Sequence, residues 1–192
     1  MVGTARVAQR RMTLDQWAAM EEDEPGELVD GVLVEEEGVG ALHELIVVWL
    51  GAALKVWLGS RGRVLGSDTK LAVAENRGRK PDLCVYFTRA KLPARAVVRT
   101  PPDVAIEIVS PQPADRRRDR FEKLAEYASF GVHWYWLVDP EVRTLEVLER
   151  NDRGTYTIAL SASDGTVSVP GCEGLVLDLD SLWAEIADLD DA

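Results

Sequence analysis

Apolar and polar positions along this chain follow two periods, and the places where one gives way to the other mark its elements. Positions 42–58 repeat at helical spacing and predict a long amphipathic helix with Gly59 at its C-terminal cap. A second helix is predicted from Asp115, a capping residue, to about Phe130, where Gly131 ends it. Phe121, Leu124, Ala125 and Ala128 form the apolar face of that helix. Thr13 with Gln16 has the spacing of a capping box and predicts a short helix ending near Glu22. Residues 180–189 predict a short closing helix. Between these, β-rich apolar runs predict strands near 63–74, 82–87, 103–109, 133–138, 142–149 and 154–160. Residues 27–37 read as a hairpin turning at Asp30-Gly31. There is no internal repeat, no low-complexity linker and no boundary for a second domain. Residues 1–192 are therefore expected to form a single α/β or α+β domain.

Two of the strand-like runs carry one carboxylate each. Asp82 opens Leu83-Cys84-Val85-Tyr86, and Glu107 lies near the end of Val104-Ala105-Ile106-Glu107-Ile108-Val109. A lone charge in such a run is costly unless it is paired or bound to a cation. Side chains alternate along a strand, so Asp82 shares a face with Cys84 and Tyr86, and Glu107 shares one with Ala105 and Val109. Leu83, Val85, Val104, Ile106 and Ile108 then turn the other way, into the core. If the two strands are neighbours, both carboxylates point to one side at a sheet end. They would make a site of hard oxygen ligands for Mg²⁺ or Mn²⁺.

Composition is that of an ordinary soluble domain, with 46% hydrophobic and 29% charged residues. The two cysteines, Cys84 and Cys172, are far apart and lack metal-ligand spacing, so free thiols and a cytoplasmic, reducing setting are expected. The basic N-terminus (Arg6, Arg10, Arg11) is followed by no apolar segment of a signal peptide. The apolar run 45–58 is short for a bilayer and contains Lys55, so no membrane partner is expected. The net charge of −11 argues against a passive nucleic-acid coat, but it is unevenly spread. Residues 61–99 hold ten basic and three acidic side chains, whereas residues 134–192 hold three basic and thirteen acidic ones. The carboxylate pair lies in or beside the basic stretch, which suits a polyanionic substrate.

A wider pattern surrounds the pair. In order along the chain come Glu27-Leu28-Val29-Asp30-Gly31, His43, Arg79-Lys80-Pro81-Asp82, Glu107-Ile108-Val109-Ser110-Pro111, Asp119 with Lys123, Tyr127, Gly131-Val132 and Tyr135-Trp136-Leu137-Val138-Asp139-Pro140. Over about residues 12–150 this resembles the Uma family, a branch of the PD-(D/E)XK, restriction-endonuclease-like nuclease superfamily. The resemblance implies a restriction-endonuclease-like core, with a mixed β-sheet flanked by helices. It implies metal-dependent hydrolysis of DNA phosphodiesters, with Asp82 and Glu107 as metal-binding carboxylates and the backbone carbonyl of Ile108 as a further ligand. The last position of the triplet, where the superfamily has lysine, holds Val109. The resemblance assigns that lysine's role to Lys123 on the following helix, with Asp119 one turn before it as a holding group. Trp134 also departs from the family, which usually has glutamate there.

Other residues are candidates for supporting roles. His43 could meet the metal or a phosphate, or be a polar packing residue at a helix start. Glu27 could be an outer ligand or a hairpin charge. Arg116, Arg117, Arg118 and Arg120 could contact backbone phosphates or form a solvated helix face. Trp134, Tyr135 and Trp136 are expected in the core rather than stacked on bases. Lys123 is expected to border the apolar face of its helix, with its stem packed and its amine pointing at the cleft of Asp82 and Glu107, so that its removal leaves folding nearly intact. The expected partners are DNA, bound weakly and salt-sensitively, and a second copy of the chain in a homodimer. The alternative function is a non-catalytic nucleic-acid-binding or protein-interaction module on a decayed nuclease scaffold. A glycoside hydrolase using Asp82 and Glu107 as acid and base is a third, weaker reading.

Overall fold

The computed structural model of the chain describes residues 10–21, 24, 26–34, 40–94, 96–110 and 118–189, without the side chains of Arg118 and Asp119. Its central sheet takes six strands. In chain order they are β3 (Arg63–Leu65), β6 (Leu83–Tyr86), β7 (Val104–Ile108), β8 (Trp134–Asp139), β9 (Thr144–Arg150) and β10 (Tyr156–Ala162). Their spatial order is β10-β9-β8-β7-β6-β3. Every pairing is antiparallel except β7 with β8. A parallel pair needs a crossover. Here it includes a π-helical turn (Arg118–Glu122) that runs into helix α3 (Lys123–Phe130). Gly131 ends α3 in the left-handed conformation, φ 105°, which favours glycine.

The long helix α2 (Ala41–Leu58) covers one face of this sheet. Its Ile46, Leu50, Leu54 and Leu58 fall one helical turn apart and pack against Leu83, Val85, Val104, Ile106 and Ile108. The C-terminal segment, including helix α4 (Leu179–Ala184), adds Leu179, Leu182 and Trp183 to the same core. By length and composition α2 is apolar enough to cross a membrane, as core helices often are, because the helix begins at Ala41 and so exceeds the run 45–58. The opposite face of the sheet presents Cys84, Tyr86, Ala105 and Val109, and on it Tyr127 of α3 joins a second core. The alternation of faces expected for β6 and β7 is therefore present.

A smaller sheet lies alongside, in the order β2 (Val32–Val34), β1 (Glu27–Val29), β5 (Arg77–Arg79), β4 (Leu71–Ala74). The β1–β2 turn is the expected Asp30-Gly31, both with positive φ (51° and 73°), as a two-residue hairpin demands. Helix α1 (Leu14–Ala18) starts with the expected capping box, Thr13 with Gln16. It ends at Ala18, short of Glu22, which lies outside the described residues, as does Asp115.

The structure corrects several elements. The run 63–74 divides between two sheets, with β3 in the large one and β4 in the small one. Strand β5 and the pair β11 (Thr166–Ser168) with β12 (Val176–Asp178) were not expected. The apolar face predicted for this helix, α3, holds at Leu124 and Ala128 but not at Phe121 and Ala125. Phe121 is 70% exposed and Ala125 is exposed, while Lys123, Glu126, Tyr127 and Ala128 are buried. The helix is turned by the ion pairs its charged residues make underneath, described next.

Candidate active site

β6 and β7 are adjacent and antiparallel, with Leu83 opposite Ile106. This register carries Asp82, one residue before β6, to the level of Glu107. The Asp82 carboxylate is fixed to β7 directly: Ile108 N–H donates to Oδ2 at 2.7 Å. The charges of both acids reach one buried thiol between them. Burial first, then Glu107 and Asp82, push Cys84 well above the ordinary thiol range. Asp82 and Glu107 thus share the face of the sheet on which α3 lies.

Glu107 is 2% exposed and meets two groups from α3. Lys123 Nζ donates to Oε2 at 2.9 Å, and Tyr127 OH donates to Oε1 at 2.7 Å. Lys123 and Tyr127 are one helical turn apart, so one helix face delivers both. Lys123 is itself 2% exposed and also lies 3.6 Å from Glu27 Oε1. The lysine amine therefore points at the site carboxylates, as expected, but the residue is buried between two of them rather than lying at the border of its helix's apolar face. Burial and the neighbouring carboxylate of Glu107 push the Tyr127 phenol well above its ordinary range, so it stays a donor.

Glu27 comes from β1 and is 1% exposed. Burial alone would raise its pKa, but Lys123, Arg79 and the Lys80 N–H override it and hold the carboxyl below the usual range. Lys80 N–H donates to Oε1 at 2.8 Å, and Arg79 Nη1 donates to Oε2 at 2.6 Å. Arg79, wholly buried in β5, also grips Glu126 of α3 in two-point contact, Nε to Oε2 at 2.6 Å and Nη2 to Oε1 at 2.9 Å. Arg77 pairs with the same Glu126 and with Asp30. A continuous buried network therefore links β1, β5, α3 and β7. Its members Arg79, Glu126 and Tyr127 had no assigned role in the sequence reading. The signal for Glu126 and Tyr127 was their position three and four residues after Lys123, on the same helix face.

His43, near the start of α2, places Nε2 2.9 Å from Asp82 Oδ1. Burial would lower its pKa, but the hydrogen bond and charge of Asp82, together with Glu44, raise it above 6.5. Glu27, His43, Asp82, Glu107, Ile108 and Lys123 are thus brought together. Arg120 is not with them. Its guanidinium pairs with Asp139 at 3.0 Å and Glu146 at 2.7 Å. Arg116, Arg117 and the side chains of Arg118 and Asp119 lie outside the described residues.

Among the described residues, no group of three or more His, Cys, Asp or Glu is arranged to hold a metal ion. What the site offers is two carboxylates, with the backbone of Ile108 beside Asp82. This is the oxygen set that suits Mg²⁺, which keeps several of its own waters and takes one or two carboxylates from a protein. The partners of both carboxylates are hydrogen-bond donors, Ile108 N–H and His43 to Asp82 and Lys123 and Tyr127 to Glu107, which favour the ionised form that a hard cation takes. The donor chemistry fits such an ion.

A mixed sheet flanked by helices, carrying paired acids on neighbouring strands, defines a nuclease-like α/β protein of the restriction-endonuclease-like class. The chain belongs to the Uma2 family, described as "Putative restriction endonuclease", whose model matches residues 12–180. The family match extends beyond the 12–150 of the sequence resemblance. Among solved structures, the fold is similar to the crystal structure of a "putative nuclease belonging to DUF820" from Anabaena variabilis. The TM-score is 0.71 at 20% identity, over 91% of this chain and 99% of that one. No curated protein matches the chain.

Proposed function

We propose that the chain hydrolyses DNA phosphodiesters with Mg²⁺ or Mn²⁺ held by Asp82, Glu107 and the Ile108 carbonyl. The observation that carries this reading is the register of β6 and β7, which sets Asp82 at the level of Glu107 with Lys123 2.9 Å from Glu107. When bound, the ion would neutralise charge on the phosphate and lower the pKa of water. The protein's own groups do the rest. Lys123, held between Glu107 and Glu27, would fix the Glu107 carboxylate and offset charge developing on the phosphate. Tyr127 pins one oxygen of Glu107, and His43 pins one oxygen of Asp82, so both carboxylates are held in one orientation. Arg79 and Glu126 fix Glu27 and α3 in turn. The buried free thiols Cys84 and Cys172 support a reducing, cytoplasmic setting.

Ion binding is tested by calorimetry with Mn²⁺ on the purified chain. Wild type is expected to bind one ion, and Asp82→Asn or Glu107→Gln to weaken binding by at least about tenfold. Binding that is absent at millimolar Mn²⁺, or unchanged in both variants, would remove the metal from the reading.

A second reading, the non-catalytic scaffold, is favoured by one observation. Glu107 and Lys123 are almost wholly enclosed and already paired with one another. On that reading the network is retained for structure, and the chain binds nucleic acid without cutting it.

A further inference from the structure

One side of α2 is only partly covered among the described residues. While Ile46, Leu50, Leu54 and Leu58 are buried, Val48 is 65% and Val56 84% exposed. Ala52 is also exposed, and Leu45 and Trp49 are only half-buried. At 3.6 residues per turn these positions, with Leu42, form one continuous apolar stripe along the helix. A groove of 610 Å³ runs beside it toward Leu175 and Val176, the latter 53% exposed. Contiguous apolar surface of this kind marks an interaction site more often than it is left in water.

The charges of α2 say what covers the stripe. Apart from His43, the helix carries one acid, Glu44 in its first turn, and one base, Lys55 in its last. The two lie on the same flank of the stripe, one at each end. In the single chain Lys55 reaches its own helix end, donating to the Gly59 carbonyl at 3.1 Å, and Glu44 lies 3.6 Å from His43 Nδ1.

We propose that this face is the interface between two copies of the chain, with α2 packed antiparallel to α2 of the second copy about a two-fold axis. An axis across the middle of the helix sets Glu44 beside the second copy's Lys55 and Leu42 beside its Val56, each twice by symmetry. Near the axis Val48 meets Ala52, which is small enough for close approach. A parallel arrangement would instead put the two Glu44 residues at one level and the two Lys55 residues at the other end, with no opposite charge across from either. Elsewhere the chain's net charge of −11 repels a second copy, whereas the formal charges of α2 cancel. This interface does not depend on the catalytic reading.

Light scattering coupled to size exclusion, on the full chain at micromolar concentration, is the test. Wild type is expected at twice the chain mass. Val56→Glu and Val48→Glu are expected at the single-chain mass with unchanged circular dichroism, since both side chains are exposed. Glu44→Lys and Lys55→Glu should each weaken association by about three- to tenfold, and the two together should restore it. A monomeric wild type overturns the proposal, as does a dimer that neither glutamate variant disturbs. Failure of the double swap to restore association overturns the antiparallel pairing. A monomer that co-sediments with phosphatidylcholine–phosphatidylglycerol vesicles would assign the stripe to a membrane surface instead.

Discussion

Lys123 and Glu107 meet at 2.9 Å with almost no contact with water, and Glu27 stands 3.6 Å behind. An exposed lysine could be truncated at little cost. Here Lys123→Ala leaves two buried carboxylates short of their cation, so it should destabilise the fold by about 3–5 kcal/mol. The expected readout is a lowered urea midpoint with an unchanged slope. In a double-mutant cycle, Lys123→Met with Glu107→Gln should cost clearly less than the two single changes added. Additivity would show that the pair is not coupled. His43 gives a second test. Because Asp82 raises its pKa in the folded state, the pair's contribution is fully present below the unfolded value, near 6.5, and is lost as pH rises through the folded one. In an NMR titration Asp82→Asn should lower the His43 pKa, and an unmoved value would contradict the pairing. The motif pointed to Asp82, Glu107 and Lys123. The approach of Asp82 to Glu107 was legible from strand alternation, whereas Lys123 was assigned by the family resemblance. The burial of Lys123 was not, because its partners Glu27 and Glu107 come from distant segments.

Strand β5 explains what local patterning misses. Arg77-Gly78-Arg79 has no apolar residue and two charges, so nothing in it resembles a strand. Its role depends on other segments: Arg79 carries the buried pair with Glu126, and Gly78 gives Trp17 of α1 room to lie flat. A Cβ at Gly78 would stand 2.2 Å from the Trp17 ring, which is fully buried. Gly78→Ala should therefore cost about 1–3 kcal/mol through overpacking and shift the Trp17 fluorescence. Neutral behaviour would mean that the α1 contact yields freely. The same logic explains α3. Its predicted apolar face included Phe121, yet the helix buries Lys123 and Glu126, because two-point pairing with Arg79 and contact with Glu107 outweigh one ring. By contrast α2, the β1–β2 turn and β6 with β7 were legible, since a single period or turn type sets each of them.

Charge over the entire chain shapes how it would meet nucleic acid. With a net charge of −11, attraction to phosphate rests on the basic stretch of residues 61–99. DNA binding, followed by fluorescence anisotropy with Ca²⁺ in place of Mg²⁺, should be weak and fall steeply between low and physiological salt. Salt-independent binding would point to contacts other than phosphate. The family places this chain among nuclease-like proteins, and the site assembled by β1, β5, β6, β7, α2 and α3 is the reason to assign it chemistry. The most direct measurement compares wild type with Asp82→Ala, prepared identically, on supercoiled plasmid and on single-stranded DNA with Mg²⁺ or Mn²⁺. The account predicts nicking or cutting by wild type that chelation abolishes, and none by Asp82→Ala. No cleavage by wild type with either metal, or equal cleavage by both proteins, would contradict it.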